Sequence, residues 1–187
     1  MKKIYNLHLF TSQINKARYI QIIYRLLSNP NKEILHAVQV DSKEQDFHHS
    51  VVGVHIRSGG FLANIKERAY WITEKELPQL PSHLTEIVMK QSLSTIFYLT
   101  SDSDRIEKYV KTCLKNYTFI TNTRYPKQHT TWGANDIAFK GAFYDLLITS
   151  QSSAIIYTYQ SGYSDAICIM SNTDKKYRLP IRKRIYE

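Results

Sequence analysis

The sequence predicts a three-layer α/β domain with a parallel core sheet, and three observations carry that expectation. Short runs rich in apolar and β-branched residues recur at 51–56, 95–100, 117–120 and 154–158. The first, Val51-Val52-Gly53-Val54-His55-Ile56, is the kind of apolar run expected of a strand buried on both faces. Longer amphipathic segments separate the runs, and strands that alternate with helices build βα units whose strands lie parallel.

The elements follow in order. Residues 13–28 place Ile14, Ala17, Ile20, Ile23, Tyr24 and Leu27 near a 3.6-residue period, with Ser12 as a cap, so a helix is expected there. Asn29-Pro30-Asn31 ends it, and a short apolar stretch follows at 34–40. The polar, aperiodic run 41–50 reads as a linker. The expected division is therefore a helical segment over 1–49 and a ligand-binding α/β domain over 50–187. Beyond the first strand comes a loop with Gly59-Gly60, then Thr73-Glu74-Lys75-Glu76 in capping-box form, in a region that Pro78 and Pro81 keep short. Ser82 is placed to start a helix running to about Lys90. After the second strand, a helix over 104–114 carries Ile106, Tyr109, Val110 and Cys113 on one face. Helices over 139–150 and 163–170 flank the fourth strand, and 177–181 reads as an edge strand, where Pro180 is tolerated.

Composition bounds the rest. With 43% hydrophobic and 22% charged residues in 187, the chain should fold around a core. Cys113 and Cys168 provide neither a disulfide framework nor metal spacing, and read as reduced core thiols. No apolar run reaches the ~20 residues of a membrane span, and no signal peptide is visible, so the expected location is cytoplasmic. If the chain is part of a longer enzyme, the Golgi or ER lumen becomes the expectation, and the sequon Asn116-Tyr117-Thr118 becomes relevant. The formal charge is +9, of which residues 174–187 contribute +4, and that basic tail reads as a solvated face. Fourteen tyrosines raise base stacking as an option, but most fall at strand and helix positions, and nucleic acid is not the expected partner.

Parallel sheets bind ligands outside the carboxyl ends of their strands. That rule singles out His55 and Arg57, Ser101 and Asp102, and Tyr159, Gln160, Ser161 and Gly162. Arg57 offers a planar, permanently charged fork suited to phosphate oxygens. Ser161-Gly162 lies where a strand passes into a helix, so the free N–H groups and the positive dipole end of that helix face an anion. His55 and Asp145 can hydrogen-bond a base or ribose, although Asp145 also reads as an exposed helix residue. Asp102-Ser103-Asp104 has the form of an Asp-x-Asp metal motif, but a helix cap accounts for it and no metal is expected. His48-His49 lacks ligand spacing and reads as loop.

Three segments in order carry a resemblance. Gly53-Val54-His55-Ile56-Arg57 resembles the His-x-Arg motif of the α1,6-, α1,2- and protein O-fucosyltransferases. The strand ending in Thr100-Ser101-Asp102 is similar to their second motif. Tyr144-Asp145 through Gln151, followed by Thr158-Tyr159-Gln160-Ser161-Gly162-Tyr163, looks like their third. The resemblance covers residues 50–171 and implies the C-terminal, donor-binding half of a GT-B fold, a Rossmann-like domain. It implies GDP-fucose as donor, a glycan or glycoprotein as acceptor, inversion at the anomeric carbon, and no metal or other cofactor. Arg57 would hold the β-phosphate and act catalytically. His55 and Asp145 would contact guanosine, Asp102 would belong to the donor site, and Ser161, Gly162 and Tyr163 would hold phosphate. Arg57-Ser58-Gly59-Gly60 departs from the family pattern, lacking its second arginine and its aspartate. A nucleotide-sugar-binding module without transfer activity, and a basic α/β nucleic-acid-binding domain, are the alternatives.

Overall fold

The computed structural model describes residues 31–59, 69–89, 95–125, 136–181 and 183–185. The expected helix over 13–28 lies outside the described residues. The chain divides into two compact units, Met1–Asn31 and Lys32–Glu187, and the second carries everything that follows. In chain order its elements are α1 (Lys32–Glu44), β1 (Val51–Ile56), β2 (Ala69–Tyr70), a 3-10 turn (Leu77–Gln79), α2 (Leu80–Val88), β3 (Ile96–Ser101), α3 (Asp104–Cys113), β4 (Thr118–Ile120), α4 (Asp136–Ser150), β5 (Ala154–Thr158), α5 (Gly162–Met170), β6 (Lys176–Leu179) and β7 (Arg184–Ile185).

Five strands form one parallel sheet in the order β4-β3-β1-β5-β6. The central strand β1 is buried at every position. On one face Val52, Val54 and Ile56 join Leu84 and Val88 of α2 and Ile106 and Val110 of α3 in a single apolar cluster. The opposite face carries Gly53 and His55. There α4 comes so close that a Cβ on Gly53 would lie 2.7 Å from Thr149 Cγ2 and 3.2 Å from the Thr149 carbonyl oxygen, so any larger residue must displace its neighbours. Helices on both faces of a parallel sheet make the three-layer α/β architecture that the alternating pattern predicts. Lys176–Leu179 is the expected edge strand, paired in parallel with β5.

Four local expectations need correction. Residues 41–44 are not linker but the last turn of α1, and the turn after it buries Phe47 completely. Asp41 explains the misreading, because its charge is spent inside. It accepts hydrogen bonds from Arg124 Nε and Nη2 at 3.1 and 2.7 Å and from the Tyr144 hydroxyl. Burial pushes the Asp41 carboxyl up, but those bonds hold it below its ordinary value. Second, α2 begins at Leu80 rather than Ser82, since Pro81 occupies the first turn, where a missing N–H costs nothing. The capping-box glutamate does act locally: the Thr73 N–H donates to Glu76 Oε2 at 3.1 Å. Third, Cys113 is exposed because Leu114 takes the core position at the end of α3. Cys168 is half-buried, and burial pushes its thiol up to about 12. Fourth, the described basic residues of the tail are exposed as expected, but some also have partners: Arg184 pairs with Glu76, and Arg178 lies over the Tyr159 ring. Among the described residues no helix is long and apolar enough to cross a membrane.

Candidate functional site

The carboxyl end of β1 is held by side chains that continue the sheet where its ladder stops. Thr158, the last residue of β5, accepts the Arg57 N–H at 3.0 Å and donates its own hydroxyl to the His55 carbonyl at 3.2 Å. On the other side, Ser101 donates to the Ile56 carbonyl at 2.8 Å. These staples fix where Arg57 leaves the sheet.

Asp102 completes the anchor. Its carboxylate accepts the Ser58 N–H at 2.7 Å, the Gly59 N–H at 2.9 Å and the Ser58 hydroxyl at 2.8 Å, and it faces Arg57 Nη1 at 3.2 Å. Residue type predicts a cap on α3 from Asp102 or Ser103, and the resemblance implies Asp102 in the donor site. Ser103 does occupy the N-cap position, but its side chain makes no capping bond. Asp102 instead turns toward the loop after β1, and its oxygens serve that loop and Arg57. Among the described residues no three His, Cys, Asp or Glu side chains gather closely enough to hold a metal ion.

Arg57 leans over an aromatic shelf that sequence patterns did not reveal. Its guanidinium carbon lies 5.6 Å from the centre of the Trp71 ring, and Lys183 Nζ lies at the same distance from that ring. Trp71 is 5% exposed and donates its Nε1–H to the Tyr159 carbonyl at 2.9 Å, so the shelf is tied to the turn after β5. Arg178 of β6 stacks on Tyr159 at 3.8 Å. No local signal marked Trp71, which lies in a stretch without periodicity.

That turn leads into α5. Gln160 has φ 58°, unusual for a residue with a side chain, and it re-aims the backbone so that Ser161 becomes the N-cap. Ser161 is buried, and its carbonyl accepts the Asp165 N–H at 2.9 Å. The amides of Gly162 and Tyr163 open the helix, at its positive end. Asp165, in the first turn, is pushed up to about 6 by burial, against which the charge of Lys183 acts.

His55 lies beneath this turn on the α4 and α5 face of the sheet and is 4% exposed. Its Nδ1 is 2.6 Å from Ser164 Oγ, and its ring meets that of Tyr163 at 4.8 Å. Tyr163 in turn donates its hydroxyl to the Ala142 carbonyl of α4. Asp145 lies on the same face. It is buried, not an exposed helix residue, and accepts the Tyr98 hydroxyl at 2.6 Å. Burial, and next the charge of Asp145, push the Tyr98 hydroxyl far above its ordinary range, so it stays a donor. His55, Arg57, Asp102, Ser161, Gly162 and Tyr163 thus come to one edge of the sheet, with Asp145 beside Tyr98 on the face below.

The strand order and the edge so equipped define a Rossmann-like α/β domain, one half of a GT-B fold. Solved structures that share it include fucosyltransferases. A NodZ α-1,6-fucosyltransferase co-crystallised with GDP superposes with a TM-score of 0.54 at 13% identity, over 83% of this chain and 48% of that one. POFUT1 in complex with GDP-fucose gives 0.52 at 12% identity, over 81% and 47%. The fucosyltransferase NodZ from Bradyrhizobium gives 0.52 at 15% identity, over 84% and 49%. The chain spans about half the length of these structures. No protein-family model and no curated protein matches it by sequence.

Proposed function

We propose that the chain is the donor-binding half of a glycosyltransferase that takes GDP-fucose and transfers fucose to a glycan or protein acceptor, with inversion and without a metal. One observation carries the reading. Arg57, fixed by Thr158 and Asp102, stands across the strand ends from the N-terminus of α5. It does so in a fold shared with enzymes crystallised with GDP and GDP-fucose.

In the proposed reaction an acceptor hydroxyl attacks the anomeric carbon from the face opposite the diphosphate. The bond from that carbon to the β-phosphate oxygen breaks, and GDP leaves with the electron pair. The hydroxyl proton passes to a base on the acceptor side. Arg57 and the amides of Gly162 and Tyr163 balance the charge that grows on the leaving oxygen, where fixed donors act most strongly. His55, with Nδ1 engaged by Ser164, and Asp145, with one oxygen engaged by Tyr98, are the groups assigned to guanosine.

The test is calorimetric titration of GDP, UDP and GDP-fucose into the wild type, Arg57→Ala and Arg184→Ala, each with EDTA and with Mn²⁺. GDP should bind better than UDP, and Mn²⁺ should not change its affinity. Arg57→Ala should cost about ten- to a hundredfold, the worth of a charge-assisted contact. Arg184 is exposed and paired with Glu76, so its loss should matter about twofold at most and fade with salt. Equal effects at both arginines would reduce the site to a basic surface. Strong dependence on Mn²⁺ would defeat the metal-free mechanism.

A further inference from the structure

Charge at the phosphate end of the site does not close on Arg57 alone. Asp102 faces that guanidinium at 3.2 Å and also takes the Ser58 and Gly59 amides, so a diphosphate arriving here meets a cation already balanced by a carboxylate. The segment 57–60 supplies no second cation. The fold brings one from the other end of the chain. β2 and β7 pair antiparallel with Tyr70 opposite Arg184, and Trp71 and Lys183 are the next residues just past the end of that ladder. Lys183 Nζ accordingly lies 5.6 Å from the centre of the indole over which Arg57 also leans. Trp71 is tied by its Nε1–H to the Tyr159 carbonyl, two residues before the Ser161 cap. The field of Lys183 reaches Asp165 in the first turn of α5. Lys183 is therefore located from both sides, by the Arg57 shelf and by the opening turn of the helix.

Its neighbours in the tail are committed elsewhere, Arg184 to Glu76 and Arg178 to the Tyr159 ring. Among the described residues Lys183 has no carboxylate within salt-bridge distance, and its side chain is long, flexible and exposed. A lysine ammonium is a compact charge with three donors that can be re-aimed at small cost. We infer that Lys183 is a second cation of the diphosphate site: its ammonium moves from the Trp71 ring to the phosphate oxygens facing Arg57, so that the C-terminal segment completes the charge the first motif lacks. The inference rests on reading this edge as a diphosphate site and commits to the diphosphate, not to the base or the sugar.

The experiment is titration of GDP and GMP into the wild type, Lys183→Ala, Lys183→Arg and Arg184→Ala at physiological salt, with a thermal melt of each to confirm an unchanged fold. Lys183→Ala should weaken GDP about five- to tenfold and GMP about twofold or less, because the second phosphate is the group that needs the second cation. Lys183→Arg should restore most of the loss, and Arg184→Ala should leave the GDP-to-GMP ratio unchanged. An unchanged ratio in Lys183→Ala would overturn the inference. If the wild type binds no guanine nucleotide, the proposed function fails, and inorganic pyrophosphate becomes the probe. Pyrophosphate binding that depends on Lys183 would sustain the second cation, whereas binding indifferent to Lys183, or none, would overturn it.

Discussion

Replacing Asp102 tests the anchor of the whole edge. Its carboxylate holds two backbone amides at 2.7 and 2.9 Å and a hydroxyl at 2.8 Å, at Ser58 and Gly59, which are both buried. Asp102→Ala strands those donors, and a buried donor left without a partner costs about 1–3 kcal/mol. It also removes the counter-charge of Arg57, although that side chain is 18% exposed and recovers part of its hydration. The expected loss is about 3–5 kcal/mol. Asp102→Asn keeps one acceptor oxygen for an amide and should lose about 1–2 kcal/mol. Urea denaturation followed by circular dichroism measures both. At a slope of about 2 kcal/mol/M, the alanine variant should shift its midpoint down by about 2 M with the slope unchanged. A loss below about 1 kcal/mol for Asp102→Ala would mean that the amides find water or other partners, and the anchoring role would fall.

Two further outcomes follow from close packing and from burial. Gly53→Ala must displace Thr149 and Ser152, whose atoms would lie 2.7 and 2.8 Å from the new Cβ, and should cost about 1–3 kcal/mol. That is a Tm drop of about 2–10 °C, partly recovered by adding Thr149→Ser. Asp165 titrates at about 6 when folded against an ordinary value of 3.8, so the folded state holds its proton more tightly. Stability from this group is full below pH 4, declines as pH rises toward 6, and is lost above. Asp165→Asn should therefore stabilise the chain above pH 6 by about 1–2 kcal/mol, after allowance for solvent screening, and leave it unchanged near pH 4. An equal gain at both pH values would show that the carboxylate charge is not the cause.

The sheet was legible because short apolar runs alternate with amphipathic segments, the pattern that βα units produce; β1, β3 and β5 are buried as that pattern implies, whereas the outer strands β4 and β6 are largely half-buried or exposed. The strand-end rule then placed His55, Arg57, Asp102 and Ser161 on one edge without reference to any single side chain. Partners were not legible. Nothing in the sequence marks Asp102 as the acceptor for Ser58 and Gly59, because that contact joins residues 44 and 43 positions apart. Asp41 looked like linker because its two partners, Arg124 and Tyr144, come from distant elements. Lys183 is exposed, as a tail residue is expected to be, but its place beside Trp71 was not legible, because the short ladder between β2 and β7, not local composition, brings the two segments together.

One feature of the sheet bears on how the molecule behaves in company. Among the described residues β6 is an outer strand, and its side away from β5 presents backbone donors and acceptors to any extended segment that drifts past. Its sequence is Lys176-Tyr177-Arg178-Leu179, with Leu179 turned into the core and Lys176 and Arg178 exposed. An incoming copy of the same strand would set like charges against each other, a mismatch that disfavours self-pairing. Lys176 and Arg178 thus put like charges along this outer strand, the arrangement that disfavours pairing of β6 with a copy of itself.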